Sequence, residues 1–420
     1  MNRNTKYVIY ALLAVNAFLV CKGVISSSIW WAQRPSEYCI SDILINYQGG
    51  FVRRGLLGEI LFQLSSLSNL DPRCFIVPLC VISAAILICL LVRYFHREHL
   101  CLWILPTYYV LGGADYIRKD TIMMLFVFAI FKLLSQLLDG QRKLCILLIL
   151  IVLLLNLHEA SFFAFFPMLA VYLLFGTPNR TRLTHRIVVI TISLAAMATL
   201  CIFKGDMECA EQVWHSWESV YPDEYCMFRY WSSIGALAWG TLDTIKMHIV
   251  YNFCDDPTLG WSELFIRPLV LFIILYLMIQ ISFVNHRGDS DYKRKTCLFA
   301  KFAIFQLLSM APLMTILSCD FKRICFYWTV SSFMSYFLLK DMHVNVPFSK
   351  TINKWIAPCI KAISYPVRPV YPFVLLLFFS IPTWHGDPCR TYFSPLCSPV
   401  VVRVFWHVTH IQTDIDRILH

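Results

Sequence analysis

Apolar residues run through this chain in long blocks, and the polar stretches between them are short. Blocks of roughly 17 to 22 residues recur from one end to the other, the length an α-helix needs to cross about 30 Å of hydrocarbon. The pattern predicts about eleven helices, at 7–25, 74–92, 100–114, 121–138, 144–157, 160–175, 187–203, 264–284, 297–318, 324–339 and 370–384. A less apolar stretch at 235–252 suits an interfacial or re-entrant segment. The first block follows Arg3 and Lys6 and, at about 19 residues, exceeds a signal-peptide core, so it reads as a retained signal-anchor. The expected fold is all-α: one polytopic transmembrane domain over 1–420 with a cytoplasmic N-terminus and two outer-face segments, 26–73 and 204–263.

Composition agrees. The 420 residues are 58% hydrophobic and 15% charged, with a mean hydropathy of +0.62, outside the range of a soluble globular chain. The net charge of +10 does not point to nucleic acid, because the basic residues come in small groups between the blocks and form no stripe. Membrane sidedness accounts for them. Counting alternate loops puts Arg93/Arg97, Arg142/Lys143, Arg180/Arg182/Arg186, Arg287/Lys293/Arg294/Lys295 and the stretch 340–368 on one face, basic and nearly free of acids, as expected of the cytoplasmic side. Lys132 and Lys301 lie inside blocks but near that face, where they can snorkel. The 17 cysteines are scattered, with no CxxC pair and no Cys/His spacing suited to zinc. Cys209, Cys226 and Cys254 share one polar loop, where a disulfide can form in an oxidising compartment.

The opposite face carries charges of mixed sign that orientation rules do not require. "LGGADYIRKDTIMM" places Arg118 and Lys119 between Asp115 and Asp120. That is either a hairpin closed by salt bridges, with Asp120 or Thr121 capping the next helix, or a pair of cations for an anionic group beside a carboxylate able to move a proton. "LLLNLHEASFF" puts His158 and Glu159 at a tight turn or helix break between apolar blocks, where ionisable groups are costly unless paired or used. They read as an acid/base unit or as simple turn markers; Phe162 rules out the HExxH zinc motif. In "SCDFKRICFYW", Asp320 and Arg323 stand i, i+3, suited to pairing along a helix or to turning Arg323 inward as a phosphate ligand. Trp214, Trp217 and Trp231, in the aromatic-rich stretch 204–263, are candidate sugar-stacking platforms or equally an aromatic belt; Glu208, Glu211, Glu218, Asp223 and Glu224 add carboxylates there.

The stretch "NYQGGFVRRGLLGEILFQL" joins Arg53 and Arg54 to four glycines. It opens like a P-loop, but Leu56 and Leu57 stand where Lys and Ser/Thr are required, so nucleotide binding is not supported. Leu56, Leu57, Ile60, Leu61 and Leu64 recur with helical spacing, predicting an amphipathic helix in the outer interface. The two arginines then meet phospholipid headgroups or clamp a lipid-linked diphosphate.

Taken together, "GGFVRRGLLG" at 49–58, "RKD" at 118–120, "LHEASFF" at 157–163 and "DFKR" at 320–323 resemble the Wzy-type O-antigen polymerases and the EpsG-like polymerases of bacterial surface polysaccharides. In EpsG-like proteins an arginine begins one span and a histidine followed by a small residue begins a later one, and Arg118 and His158 look like those positions. The double arginine and Glu159 go beyond that pattern. The resemblance implies a glycosyltransferase of the bacterial inner membrane that polymerises undecaprenyl-diphosphate-linked oligosaccharide repeat units at the periplasmic face, in contact with membrane lipid. It leaves open a chain-length regulator as protein partner. It implies Glu159, or else Asp115 or Asp120, as base, Arg53, Arg54, Arg118, Lys119 and Arg323 as diphosphate ligands, and His158 as an auxiliary donor. Two alternatives stand beside it. A GT-C-type lipid-linked-sugar glycosyltransferase or ligase would use an acid in the first outer loop, where Glu37 and Asp42 lie. A flippase or transporter would show internal repeats and mid-membrane charges, which this sequence lacks.

Overall fold

A computed structural model describes residues 38–95, 117–136, 140–176, 182–220, 232–253, 257–283, 290–318, 320–339, 346, 348–368 and 371–372. Among these residues the chain is all-helical and contains no strand. In chain order the helices are α1 (Tyr38–Leu44), α2 (Gly55–Ser68), α3 (Arg73–Phe95), α4 (Asp120–Ser135), α5 (Gln141–Leu157), α6 (Ser161–Phe175), α7 (Leu183–Ile202), α8 (Met207–Trp217), a 3-10 turn (Gly235–Ala238), α9 (Thr241–Phe253), α10 (Pro257–Ser282), α11 (Tyr292–Pro312) running into a π-turn (Leu313–Leu317), α12 (Phe321–Leu339) and α13 (Lys350–Ile363). The expected blocks 7–25 and 100–114, and nearly all of 370–384, lie outside the described residues. The remaining blocks coincide with α3 to α7 and α10 to α12.

Three stretches are long and apolar enough to cross a membrane: Arg73–Leu91, Leu183–Ile202 and Tyr292–Leu317. Ser161–Phe175 and Arg267–Ser282 are apolar but shorter. On α3 and α7 the outward positions are themselves apolar, among them Ile82, Ile86, Ile187, Ile192 and Leu194, a surface suited to hydrocarbon rather than water. The chain is therefore a helical, membrane-associated protein.

α12 is different in kind. It packs against α4, α6 and α11 and buries Thr329, Ser331, Ser332 and Ser335 together with Trp328 and Phe333. Two of its polar groups meet α11 inside the bundle: Trp328 Nε1 donates to the Ala303 carbonyl at 2.7 Å, and Gln306 Nε2 donates to Ser331 Oγ at 3.2 Å. Gln306 also donates to the Phe163 carbonyl at 2.9 Å. That carbonyl needs a partner because Pro167, four residues on, has no N–H to give it.

A second, smaller apolar cluster caps one end of the bundle, formed by Ile40, Ile43 and Leu44 of α1, Leu57 and Leu61 of α2, Ile117, Leu157, and Val213, Trp214 and Trp217 of α8. α2 lies close on the chain leaving α1, and Gly58 makes this possible: a Cβ there would sit 1.9 Å from the Ile45 carbonyl oxygen. The stretch 204–263, expected as a large loop, is helical where described, with α8 stacked on the 3-10 turn and α9 against the π-turn and α10. α13, unforeseen in a stretch read only as a basic loop, is capped by Ser349 Oγ, buries Ile360 and Ile363, and has its last carbonyls met by Gln280 Nε2 of α10.

Candidate active site

Several chain segments meet where the two apolar clusters join: α1, the turn before α2, the turn before α4, the three residues between α5 and α6, and the start of α12. Helices α2, α4, α6 and α12 all begin here, so their unsatisfied N–H groups and positive dipole ends favour negative charge at this point.

The turn carrying the arginines is fixed on every side. Tyr47 N donates to Glu59 Oε2 at 3.0 Å, Asn46 Nδ2 to Ser216 Oγ at 2.8 Å, and Arg53 N to the Phe203 carbonyl at 3.0 Å. Gly50, at φ 97°, turns the chain toward Arg53. Arg54 itself is left-handed, at φ 67° and ψ 0°, a backbone state costly for a residue with a Cβ. Lys119 holds it there, donating from Nζ to the Arg54 carbonyl at 3.2 Å and to the Leu157 carbonyl, left open at the end of α5, at 3.4 Å.

Arg54 is the hub of the first ionic group. Its Nε donates to Glu159 Oε1 and Oε2 at 3.0 and 2.8 Å, Nη2 also donates to Oε1, and Nη1 donates to Asp42 Oδ1 at 3.1 Å. Arg53 Nη1 lies 3.5 Å from Glu159 Oε1, and Lys119 Nζ lies 3.6 Å from Asp42 Oδ2. The second group joins α4 to α12. Arg323 Nε donates to both Asp120 oxygens at 2.9 Å and Nη2 to Oδ1 at 2.7 Å, while the Tyr327 hydroxyl donates to Asp120 Oδ1 at 2.5 Å. Asp320 Oδ2 accepts from Arg118 Nη1 and Arg323 Nη1, each at 3.2 Å. Behind it, Arg267 of α10 lies over the Phe321 ring, 5.0 Å from its centroid, and donates to the Met314 carbonyl in the π-turn at 3.4 Å.

The two groups share one electrostatic field. Burial alone would raise the Asp42 pKa, but Lys119 and Arg54, with Arg323 behind them, hold it far below the carboxylate range. Glu159 behaves alike: burial pushes it up, and Arg54 and Arg53 bring it well below its usual value. Burial pushes Lys119 down to about 8, with Asp42 opposing and Arg54 adding. For Asp320, burial is again overcome, by Arg118 and Arg323, to about 2. His158 is buried and, with Arg54 close by, its pKa is pushed well down, so the ring is neutral. Its Nδ1 accepts from Ala160 N at 3.1 Å, which places the proton on Nε2. That Nε2 is buried and meets no acceptor among the described residues.

The sequence candidates Arg53, Arg54, Arg118, Lys119, Asp120, His158, Glu159 and Arg323 thus converge. Asp115 and Trp231 lie outside the described residues. Trp214 and Trp217 require correction: they are 4% and 1% exposed, and Trp217 packs edge-on against Phe62 while donating from Nε1 to the Leu44 carbonyl at 2.9 Å. They form the core that holds α8 to α1 and offer no face to a sugar. Cys209 is a free, buried thiol, and Cys226 and Cys254 lie outside the described residues. Tyr327 and Arg267 were not foreseen. Tyr327 stands one helical turn after Arg323, a spacing that could have flagged it, whereas Arg267 sits within an apolar block with no local signal. Asp42, the first-loop acid of the alternative glycosyltransferase reading, joins the converging residues. Among the described residues no three His, Cys, Asp or Glu side chains group as metal ligands. No family model, curated protein or solved structure matches this chain.

Proposed function

We propose that the chain is a polytopic inner-membrane glycosyltransferase that polymerises polyprenyl-diphosphate-linked oligosaccharide repeat units at the periplasmic face. In this reading it crosses the membrane about eleven times from a cytoplasmic N-terminus. The observation that carries it is the joining of Arg53, Arg54, Arg118, Lys119 and Arg323 to Asp42, Asp120, Glu159 and Asp320 at one end of the bundle. Guanidinium groups suit a diphosphate because their donors match its oxygens in pairs, and carboxylates beside them can take a hydroxyl proton. In the transfer, a sugar hydroxyl of the incoming unit gives its proton to a carboxylate, and its oxygen bonds to the anomeric carbon of the growing chain. The bond from that carbon to the diphosphate oxygen breaks, and the electron pair leaves on the diphosphate, where the cations stabilise it.

Polarity along the bundle supports the sidedness. α5, α7 and α11 have Arg142/Lys143, Arg182/Arg186 and Lys293/Arg294/Lys295 at their starts, the ends remote from the cluster. A second reading within the same chemistry draws on Asp42. It receives Arg54 and faces Lys119, which suits a GT-C-type transferase whose first-loop acid is the base.

Deleting the gene and resolving surface polysaccharide by electrophoresis tests the proposal. A ladder collapsed to a single repeat unit is the expected result; loss of every repeat unit would assign the protein to an earlier transferase, a flippase or the ligase. Asp42→Asn and Glu159→Gln then separate the bases, since the variant of the true base abolishes chain growth at unchanged membrane abundance.

A further inference from the structure

The ionic group has a feature that a plain diphosphate clamp does not explain: its cations are already engaged. Among the described residues Arg53, Arg54, Arg118, Lys119 and Arg323 face Asp42, Asp120, Glu159 and Asp320, so each of these cations already has a carboxylate partner. A diphosphate ester brings more than one negative charge, and in a buried site an uncompensated charge is expensive. One carboxylate must therefore release its partner when the ligand enters.

Geometry singles out Glu159. The Arg53, Arg54 and Glu159 side chains are 23%, 16% and 17% exposed, whereas those of Lys119 and Asp42 are 0% and 7% exposed, so the group opens to the outside at the arginine–glutamate pair. Arg53 touches Glu159 only at 3.5 Å, the longest arginine contact of the set. Arg54 keeps a second anchor on Asp42, and its backbone is pinned by Lys119, so it stays in place when Glu159 leaves. Beside the pair, the protonated Nε2 of His158, on a ring 4% exposed, meets no acceptor among the described residues and suits an anionic oxygen.

We propose that the donor's diphosphate and Glu159 exchange places on Arg53 and Arg54, so that donor binding itself turns Glu159 from a counter-ion into the base. The inference rests on the glycosyl-transfer reading of this site. With Arg54 and Arg53 taken by phosphate oxygens, Glu159 keeps its burial and loses its main counter-charge, so its carboxylate becomes more basic. Asp42, Lys119, His158 and Arg323 remain in place as the other charged and titratable groups around it. A base exposed only when the donor is seated accepts the acceptor sugar's proton at that moment, and it is held as an unreactive ion pair when the site is empty.

The test uses purified full-length protein in lipid nanodiscs with inorganic pyrophosphate as probe. Glu159→Gln removes the competing carboxylate, so it is expected to bind pyrophosphate about tenfold more tightly than wild type, although it cannot support chain growth. Infrared difference spectra of pyrophosphate binding are expected to show a shift of the ionised-carboxylate stretch in wild type, with no protonated-carboxyl band, that Glu159→Gln lacks. Glu159→Asp, which draws the carboxylate back by one methylene and keeps its charge, is expected to bind with intermediate affinity and serves if the glutamine variant does not fold. Equal or weaker binding by both variants, or a carboxylate stretch in wild type that pyrophosphate leaves unchanged, overturns the exchange. The polymerase reading is decided separately by the polysaccharide ladder: an unchanged ladder with tightened pyrophosphate binding would keep the exchange and move it to another diphosphate-dependent reaction.

Discussion

Arg54 stands where glycine would be the easier residue. At φ 67° its side chain costs about 1–2 kcal/mol of backbone energy, yet glycines occupy positions 50 and 55 on either side of the arginine pair. The guanidinium is the reason, since it alone reaches Glu159 and Asp42 together. Both Arg54→Gly and Arg54→Ala remove that group and leave two largely buried carboxylates facing each other, so each is expected to lose about 3–5 kcal/mol and all activity. Their difference isolates the backbone: thermal unfolding in detergent should show Arg54→Gly the more stable by about 1 kcal/mol, and equality would mean that the left-handed turn is not retained. The same residues set the acid response. His158 is neutral in the folded chain, so stability falls once the unfolded state can protonate it below its usual 6.5. Glu159 is held well below its usual 4.5, so its contribution is complete above pH 4.5 and is lost as the pH drops toward the folded value; Asp320 follows, between 3.8 and about 2. A pH series of unfolding midpoints should therefore decline gently below about pH 6.5 and steeply below 4.5. His158→Gln is expected to flatten the first arm and Glu159→Gln the second. A decline unchanged in both variants would detach these residues from acid stability.

At the level of elements, the site depends on how closely α2 approaches α1. An alanine at position 58 would place its Cβ against Ile45 backbone, which cannot swing aside as a side-chain tip can. Gly58→Ala should cost about 1–3 kcal/mol and displace the arginine turn, so activity is expected to fall further than stability. Gly140, at the start of α5, has open space around it, and Gly140→Ala should be silent in both assays. Equal effects at the two positions would remove close packing of α1 and α2 as the device that sets Arg53 and Arg54. The helices themselves were largely legible in the sequence. Apolar length fixes where α3 to α7 and α10 to α12 run, because a helix buried in lipid or protein must be apolar nearly all round. α1 is too short to leave a period, whereas α8 and α13 carry a clear helical period but too few apolar residues to stand out as apolar blocks. Charged residues at block boundaries pointed correctly to the cluster. Their pairing followed the chain for Asp320 and Arg323, spaced i, i+3, but it also runs across the fold, from Arg118 to Asp320 and from Lys119 to Asp42. The two tryptophans misled for the same reason, because composition records an aromatic ring but not the core that takes it.

Across the whole molecule, the helices that carry the cluster are shorter than some of their neighbours. α4, α5 and α6, which carry it, have 16, 17 and 15 residues, about 22–26 Å of helix at ~1.5 Å per residue. α3 and the α11 stretch through the π-turn have 23 and 26, at about 35–39 Å. Hydrocarbon about 30 Å thick is matched by the longer helices and not by the shorter ones. The cluster sits at the shared ends of the shorter helices. Burial there keeps water scarce and strengthens every charge contact, and in the proposed reading these cations meet the diphosphate of a membrane-held lipid. Such an arrangement works only if the cluster end faces the side where the lipid-linked units are displayed. Alkaline phosphatase fused after Ala160 or Gly205 is accordingly expected to be active, and fused after Gly140 or Asp291 inactive, with a cytoplasmic reporter giving the inverse at each position. Phosphatase activity at Gly140 with none at Ala160 would put the arginines in the cytoplasm, where they would meet a different set of phosphates and the polymerase reading would fall with the topology.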